Sequence, residues 1–396
     1  MMKRTGVFML LITAGLFLCL EGGMRLALRR STGGLLVNRP LLKLYPTIER
    51  PEEIFSSLTP ASLQWSPYEH WSTRPNLRGR FFRTNTLGFR GSETTVQKPA
   101  GRFRIVVLGG SAAWGLGCTA DARTVPGRLE ARLREQYPGR DIEVINAGQF
   151  GFVSGQELIY YHRVIVPFAP DLILLFDGYN DIMADFTNLV SGWPQNAALL
   201  QARYEDDALA HHLRESIVAF LRRSRFLDLT SRAVTARIAG RTGNPAQPVI
   251  DPAVTADQYV HNATALARLA APVPVWIALQ PVLACTRKPL APDEQAVIAA
   301  KERAIPHYTA RVQAAYRTME AGTRAAGLPV IDLEQVLGTE PALMFVDECH
   351  FGDEAADRIA SAIVREWSRS NVFRTLERES KILDSRLRGN DNLSQR

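Results

Sequence analysis

Between residues 103 and 369, short unbroken apolar runs alternate with longer stretches in which apolar residues recur three and four apart. The runs are FRIVVLG (103–109), DIEVINA (141–147), DLILLFD (171–177), VPVWIAL (273–279) and LPVID (328–332). Rich in β-branched residues and lacking an in-out alternation, they predict parallel strands buried on both faces. The stretches between them predict helices over Val125–Tyr137, Gly155–Val166, Pro252–Ala270 and Glu294–Ala326, the last interrupted by Pro306. A closing helix, Asp353–Ser368, is amphipathic through Ala356, Ile359, Ala360, Ile363, Val364 and Trp367. Strand alternating with helix predicts an α/β fold: a three-layer α/β/α domain around a short parallel sheet, over about residues 102–370.

Four segments fall outside this rhythm. Lys3 and Arg4 precede an apolar run from Val7 to Leu20, the pattern of a secretory signal, but Glu21 interrupts it and no small-x-small cleavage site follows cleanly. Residues 1–30 are therefore expected to be an uncleaved signal anchor or transmembrane helix. The span reaches Leu28 only by tolerating Glu21 and Arg25. The expected location is the inner membrane, as a single-pass anchor with the catalytic domain on the extracytoplasmic, periplasmic side. Residues 31–101, rich in Pro, Trp and Arg, read as an irregular arm with short strands. Residues 183–248 are too long for a crossover between the third and fourth strands and read as an insertion. There Leu213, Ile217, Phe220 and Leu221 share one helical face beside many arginines, the pattern of a lid or of a segment lying on anionic lipid. Residues 371–396 are polar, without an apolar face, and are expected to be a disordered tail.

The net charge of +7 would suggest nucleic acid until it is located. Residues 1–40 hold six Lys/Arg and one Glu, and residues 374–396 hold six Lys/Arg and four Asp/Glu, so the body between them is neutral. A neutral body offers no footprint for a phosphate backbone, and nucleic acid is excluded as an expected partner. Of the four cysteines, Cys19 lies in the apolar N-terminal run, and Cys118, Cys285 and Cys349 form no CxxC or Cys/His cluster of the kind that binds zinc.

In open parallel sheets ligands bind beyond the carboxyl ends of the strands. There this sequence places GGSAAWG with Ser111 after the first strand, NAGQFG with Gly148 and Gly151 after the second, and GYND with Asn180 after the third. DECHF, with Asp347 and His350, follows the fifth. A serine hydroxyl is a weak nucleophile until a histidine takes its proton, and the histidine needs a carboxylate to fix its tautomer. Backbone N–H groups and an amide can hold the oxyanion, each donor contributing about 3–4 kcal/mol in a known hydrolase.

These four blocks, in order, resemble the SGNH/GDSL hydrolase superfamily, over about residues 103–369. The resemblance implies a flavodoxin-like SGNH hydrolase domain. It implies Ser111 as nucleophile, Asp347 and His350 as the rest of a catalytic triad, and an oxyanion hole of Ser111, Gly151 and Asn180. RTNTLGFRG (83–91) also resembles a segment that precedes this domain in membrane-anchored bacterial members. Gly110 stands where the family name has Asp. The implied activity is a serine esterase cleaving acyl esters, O-acetyl groups on envelope glycans or a lipid ester among them, with no metal or organic cofactor. Two other functions share these features. One is an O-acyltransferase passing the acyl-serine to a sugar hydroxyl; comparing product formation with and without a glycan acceptor separates it. The other is a catalytically silent glycan-binding or assembly module, which has no need of Ser111, Asp347 and His350 together.

Plainer roles compete for several residues. Ser111 could be only a helix N-cap, and Asn180 could close a turn with Asp181. Asp177 and Asp181 are expected as helix caps rather than metal ligands, Trp114 as a core or pocket-wall aromatic and Cys349 as a small buried filler. His211 and His212 read as solvated. Asn85 and Arg90 are expected either to line the site from the arm or to form a turn with an exposed arginine.

Overall fold

The computed structural model describes residues 21, 39–55, 59–186, 191–194, 197 and 251–373. By packing, the chain divides into two units. One is Met1–Val37 with Asn196–Val249, which lies almost wholly outside the described residues. The other, Asn38–Gln195 with Ile250–Arg396, contains everything that follows. In chain order its elements begin with α1 (Arg39–Leu44), the hairpin β1 (Leu63–Ser66) and β2 (His70–Thr73), then β3 (Phe103–Gly109) and the single turn α2 (Ser111–Trp114). There follow α3 (Val125–Gln136), β4 (Ile142–Asn146), α4 (Ser154–Tyr160), β5 (Leu172–Asp177) and α5 (Tyr179–Asp185). The chain then forms α6 (Pro252–Ala270), β6 (Val275–Leu279), α7 (Pro292–Ala304), α8 (Tyr308–Ala325) and α9 (Asp353–Arg369).

The main sheet is parallel, in the order β4-β3-β5-β6. Its three layers follow from side-chain alternation along each strand. Ile105 and Val107 of β3 enter one core with Leu129 and Leu133 of α3 and Ile359, Ile363 and Trp367 of α9. Val106 and Leu108 enter the opposite core with Tyr259 and Leu266 of α6 and Val312 and Met319 of α8. All of these are buried, and each such side chain contributes about 1.5–3 kcal/mol on leaving water. Both faces being covered explains why the strand sequences are continuous apolar runs.

Local signals set the helix ends. The Thr124 side chain accepts from Gly127 N and starts α3, and Asp251 does the same for Ala253 N ahead of Pro252 in α6. Pro306 separates α7 from α8, with His307 in the left-handed region at φ 57°. The helix expected over 155–166 is α only to Tyr160; it continues as a π turn to Ile165 and a 3-10 turn that contains Pro167. The expected fifth strand is reduced to one parallel bridge, Ile277 to Val330. Pro329 offers only its carbonyl, to Ile277 N, and the chain leaves the sheet after Ile331 N donates back to Ile277 O.

The segment after residue 38 belongs to the same packed unit as the sheet. Leu41 and Ile54 are buried against Val346, and Phe82 packs on Trp114 and Phe150. Among the described residues no helix is long and apolar enough to cross a membrane. The expected anchor (1–30, except Glu21), most of the insertion and the tail from 374 lie outside the described residues.

Candidate active site

Ser111 is the first residue of α2, directly beyond β3. The turn that delivers it is tightly packed: a Cβ on Gly109 would run into the Phe176 carbonyl, and Gly109 has φ 148°. The half-buried serine donates from Oγ to His350 Nε2 at 2.7 Å. His350 Nδ1 in turn faces Asp347 Oδ2 at 2.7 Å. This geometry assigns the ring proton to Nδ1 and leaves Nε2 as the acceptor.

The spacing of Asp347 and His350 is that of a turn closed by its own carboxylate. Asp347 Oδ1 accepts from Cys349 N at 3.0 Å and His350 N at 2.7 Å. Val346 N donates to His350 O, and Phe345 bridges Phe351. The residues after β6 hold the turn from the other side, through Leu283 N to Glu348 O and Gln280 Nε2 to Cys349 O. Burial opposes charge on both partners. For Asp347, the nearby His350 and the hydrogen bonds outweigh it, so its pKa lies below the ordinary carboxylate value. For His350, the Asp347 carboxylate outweighs it, so the imidazole holds its proton above the ordinary histidine value.

The two loops on the other side of Ser111 meet at Phe152 and Ser154. Asn180 Nδ2 donates to the Phe152 carbonyl at 2.8 Å, and a Cβ on Gly110 would overlap that same amide nitrogen. Gly151, at φ 69°, immediately precedes Phe152. Neither Gly151 N–H nor Ser111 N–H donates to an acceptor among the described residues. Gly148 lies so close to α2 that a Cβ there would strike Trp114 N, so the second loop packs directly beneath the turn that carries Ser111. Of the five residues expected at the site, Ser111, His350 and Asp347 are linked by hydrogen bonds, Asn180 lies beside Gly110, and Gly151 precedes Phe152, whose carbonyl Asn180 binds.

Asp177 and Asp181 take up neighbouring, buried positions. Asp181 accepts from Ser154 N and Ser154 Oγ at the start of α4, and Tyr259 donates to Asp177 at 2.6 Å. Asp347, Cys349 and His350 are the one group among the described residues whose atoms could jointly hold a metal ion. There the carboxylate is already engaged with His350, and burial, followed by the Asp347 charge, pushes the Cys349 thiol far up, so it is a neutral S–H.

Trp114 and Cys349 are buried, the former in the core with Phe82 and Phe150. Arg90 takes neither of its expected places. Its side chain is 2% exposed and donates to the carbonyls of Gly115 (2.8 Å) and Phe81 (2.8 Å) and to Asp121 (2.8 Å), with its guanidinium 4.2 Å from the Trp114 ring centre. It braces the Ser111 turn through Gly115 and Trp114. Asn85 is also buried, and its side chain closes its own turn by accepting from Leu87 N and Phe89 N.

Sequence reasoning missed three contributors from the arm. Phe55 presents its ring edge-on to His350, at 6.1 Å between centroids. Trp71 donates from its indole to the Phe150 carbonyl at 2.6 Å, and Thr73 binds the Gln149 side chain through both N and Oγ1. The last two hold the Gln149–Phe152 loop; only a cluster of aromatic and hydroxyl residues over 65–73 hinted at them.

No family model matches the chain, and no curated protein matches it in sequence. Solved structures do resemble it at low identity. A lipase/acylhydrolase from Enterococcus faecalis is 14% identical with a TM-score of 0.40, covering 67% of this chain and 94% of that one. An acetylxylan esterase from Geobacillus stearothermophilus is 12% identical with a TM-score of 0.37, covering 67% and 93%. A two-domain esterase active on acetylated mannans is 13% identical with a TM-score of 0.37, covering 67% and 48%.

Proposed function

We propose that this chain is a serine ester hydrolase. One observation carries the reading: the unbroken hydrogen-bonded path from Ser111 Oγ through His350 to Asp347, with 2.7 Å at each step. In this reading Ser111 Oγ attacks the acyl carbon while His350 Nε2 takes its proton, and Asp347 stabilises the imidazolium so formed. The carbonyl oxygen becomes an oxyanion held by the N–H groups of Ser111 and Gly151 and by the Asn180 amide. His350 returns the proton to the departing alcohol, leaving an acyl-serine. Water then attacks that ester with His350 again as base, and Ser111 is restored. The substrate class is a short acyl ester, with an O-acetyl group on an envelope glycan as the specific proposal, and the place of action is the membrane surface, through residues 1–30.

The test is to react the full-length chain with a fluorophosphonate and locate the label by mass spectrometry, alongside turnover of a p-nitrophenyl ester. Label on Ser111, and loss of both label and turnover in Ser111→Ala, are expected. Label elsewhere, or unchanged turnover in that variant, overturns the reading.

A further inference from the structure

The start of α5 carries two consecutive polar side chains that reach the same neighbouring loop. Asn180 Nδ2 binds the Phe152 carbonyl, and one residue later Asp181 receives the Ser154 backbone N–H at 3.1 Å from each carboxylate oxygen. The Ser154 hydroxyl donates to Asp181 Oδ1 at 2.6 Å, and Asn262 Nδ2 of α6 donates to that hydroxyl at 2.9 Å. Asp181 is 2% exposed, and a carboxylate so placed complements the N-terminal end of α4 as well as satisfying its first N–H. The segment leading into these two anchor points begins at Gly151.

We propose that Asp181 is a positioning residue for the ester reaction, fixing the Gly151 N–H relative to the Asn180 amide by gripping Ser154. This rests on the hydrolase reading above. Asn180 and Asp181 grip the loop at two points, residues 152 and 154, so the oxyanion donors from two different strand ends become one rigid set. An oxyanion hole works by preorganisation, and a donor displaced by a fraction of an ångström loses much of its effect in the transition state while the ground state hardly changes. Asp181 touches no reacting atom and acts only through Ser154.

The ionised carboxylate is the form that accepts all three hydrogen bonds. It is surrounded by other acids: Asp177 at the end of β5, Glu157 from α4 and Asp185 on its own helix, with Tyr259 from α6 beside Asp177. Burial, opposed by the Ser154 hydroxyl and reinforced by the neighbouring carboxylates, raises the Asp181 pKa to about 7. The clamp therefore weakens as pH falls through that value.

The experiment compares steady-state hydrolysis of p-nitrophenyl acetate by the full-length wild type, Ser111→Ala, Asp181→Asn, Ser154→Ala and Asp185→Asn. Asp185 lies one turn further along and binds Ser191 and Thr255, so its variant controls for loss of a buried acid elsewhere. Asp181→Asn keeps the shape but sets an N–H toward the Ser154 N–H; kcat is expected to drop by about tenfold or more with KM nearly unchanged. Its rate should also fall less steeply on the acid side, because one titrating group has gone. Asp185→Asn should match the wild type. An active wild type in which Asp181→Asn and Asp185→Asn behave alike overturns this inference and leaves the hydrolase reading standing. A wild type inert to ester and fluorophosphonate overturns both. If Asp181→Asn fails to fold, Ser154→Ala decides: a loss in kcat of about threefold or more at unchanged KM supports the clamp, and an unchanged kcat overturns it.

Discussion

Asn180 occupies the space that a side chain at Gly110 would need. Its amide nitrogen donates to the Phe152 carbonyl at 2.8 Å and lies against the Gly110 Cα, where a Cβ would overlap it. Gly110 itself has φ −82°, a conformation open to any residue, so the glycine is required by contact and not by backbone shape. A side chain at this place is incompatible with this Asn180 position.

Gly110→Ala and Gly110→Asp are therefore expected to separate folding from turnover. The overlapped atom is the end of a side chain that can swing aside, so overpacking this buried site should cost about 1–3 kcal/mol of stability without abolishing folding. The displaced amide should cost on the order of ten- to a hundredfold in kcat. Urea denaturation beside ester turnover checks this; a Gly110→Asp variant with normal kcat would show that Asn180 does not serve the oxyanion from this position.

Arg90 is expected to be a stability residue with a catalytic consequence. Removing it as Arg90→Met takes this donor from the Gly115 and Phe81 carbonyls and leaves Asp121 to Arg83, a loss of hydrogen bonds that should cost about 1–3 kcal/mol. Arg90→Lys should recover only part of this, since one ammonium cannot reach three acceptors that a planar guanidinium spans. Denaturation midpoints of the two variants decide it; equal midpoints with the wild type would remove Arg90 from the turn's support.

What was legible in the sequence follows from how local each signal is. Strands buried on both faces must be apolar throughout, so β3 and β5 stand out, while the last run fails as a strand because Pro329 and the departure after Ile331 limit it to one bridge. Ser111, Asn180 and His350 were visible because a parallel sheet gathers chemistry at strand ends. The braces were not. A buried arginine such as Arg90 and a solvated one look alike in sequence, and Asp181 shows its purpose only when Ser154, from another strand end, lies beside it. Phe55 approaches His350 across a sequence distance that no periodicity reveals.

The buried acids make a prediction about stability and pH. Burial raises the pKa values of Glu157, Asp177, Asp181 and Asp185, with Asp181 at about 7. For Glu157, burial and then the charge of the neighbouring Asp177 favour the protonated carboxyl. With pKa values raised in the folded chain, the folded state binds more protons than the unfolded state between the ordinary carboxylate range and about 7, so stability falls as pH rises through that window. The melting temperature should be several degrees higher near pH 5.5 than at pH 8, about the size expected for a few kcal/mol. Asp181→Asn should flatten that slope. A melting temperature that climbs toward pH 8 would contradict this assignment.

Activity should run the opposite way. The hydrolase reading needs His350 neutral, and the Asp347 carboxylate, outweighing burial, raises its pKa above the ordinary histidine value of 6.5. As pH falls through that raised value the base is protonated, so kcat/KM should be full on the alkaline side and decline with a half-maximal point above 6.5. Asp347→Asn removes the charge that holds the proton. Its acid limb should shift to lower pH, since burial alone lowers a histidine pKa, while the remaining rate falls by roughly ten-thousandfold because the ring loses its enforced tautomer. Cys349→Ser tests whether the neighbouring thiol, 3.5 Å from His350 Nδ1, contributes; as a neutral group it should leave the limb in place. Rate profiles from pH 5 to 9 read all three. A wild-type limb below pH 6, or one unmoved in Asp347→Asn, would mean that the group titrating in the reaction is not the His350 paired with Asp347.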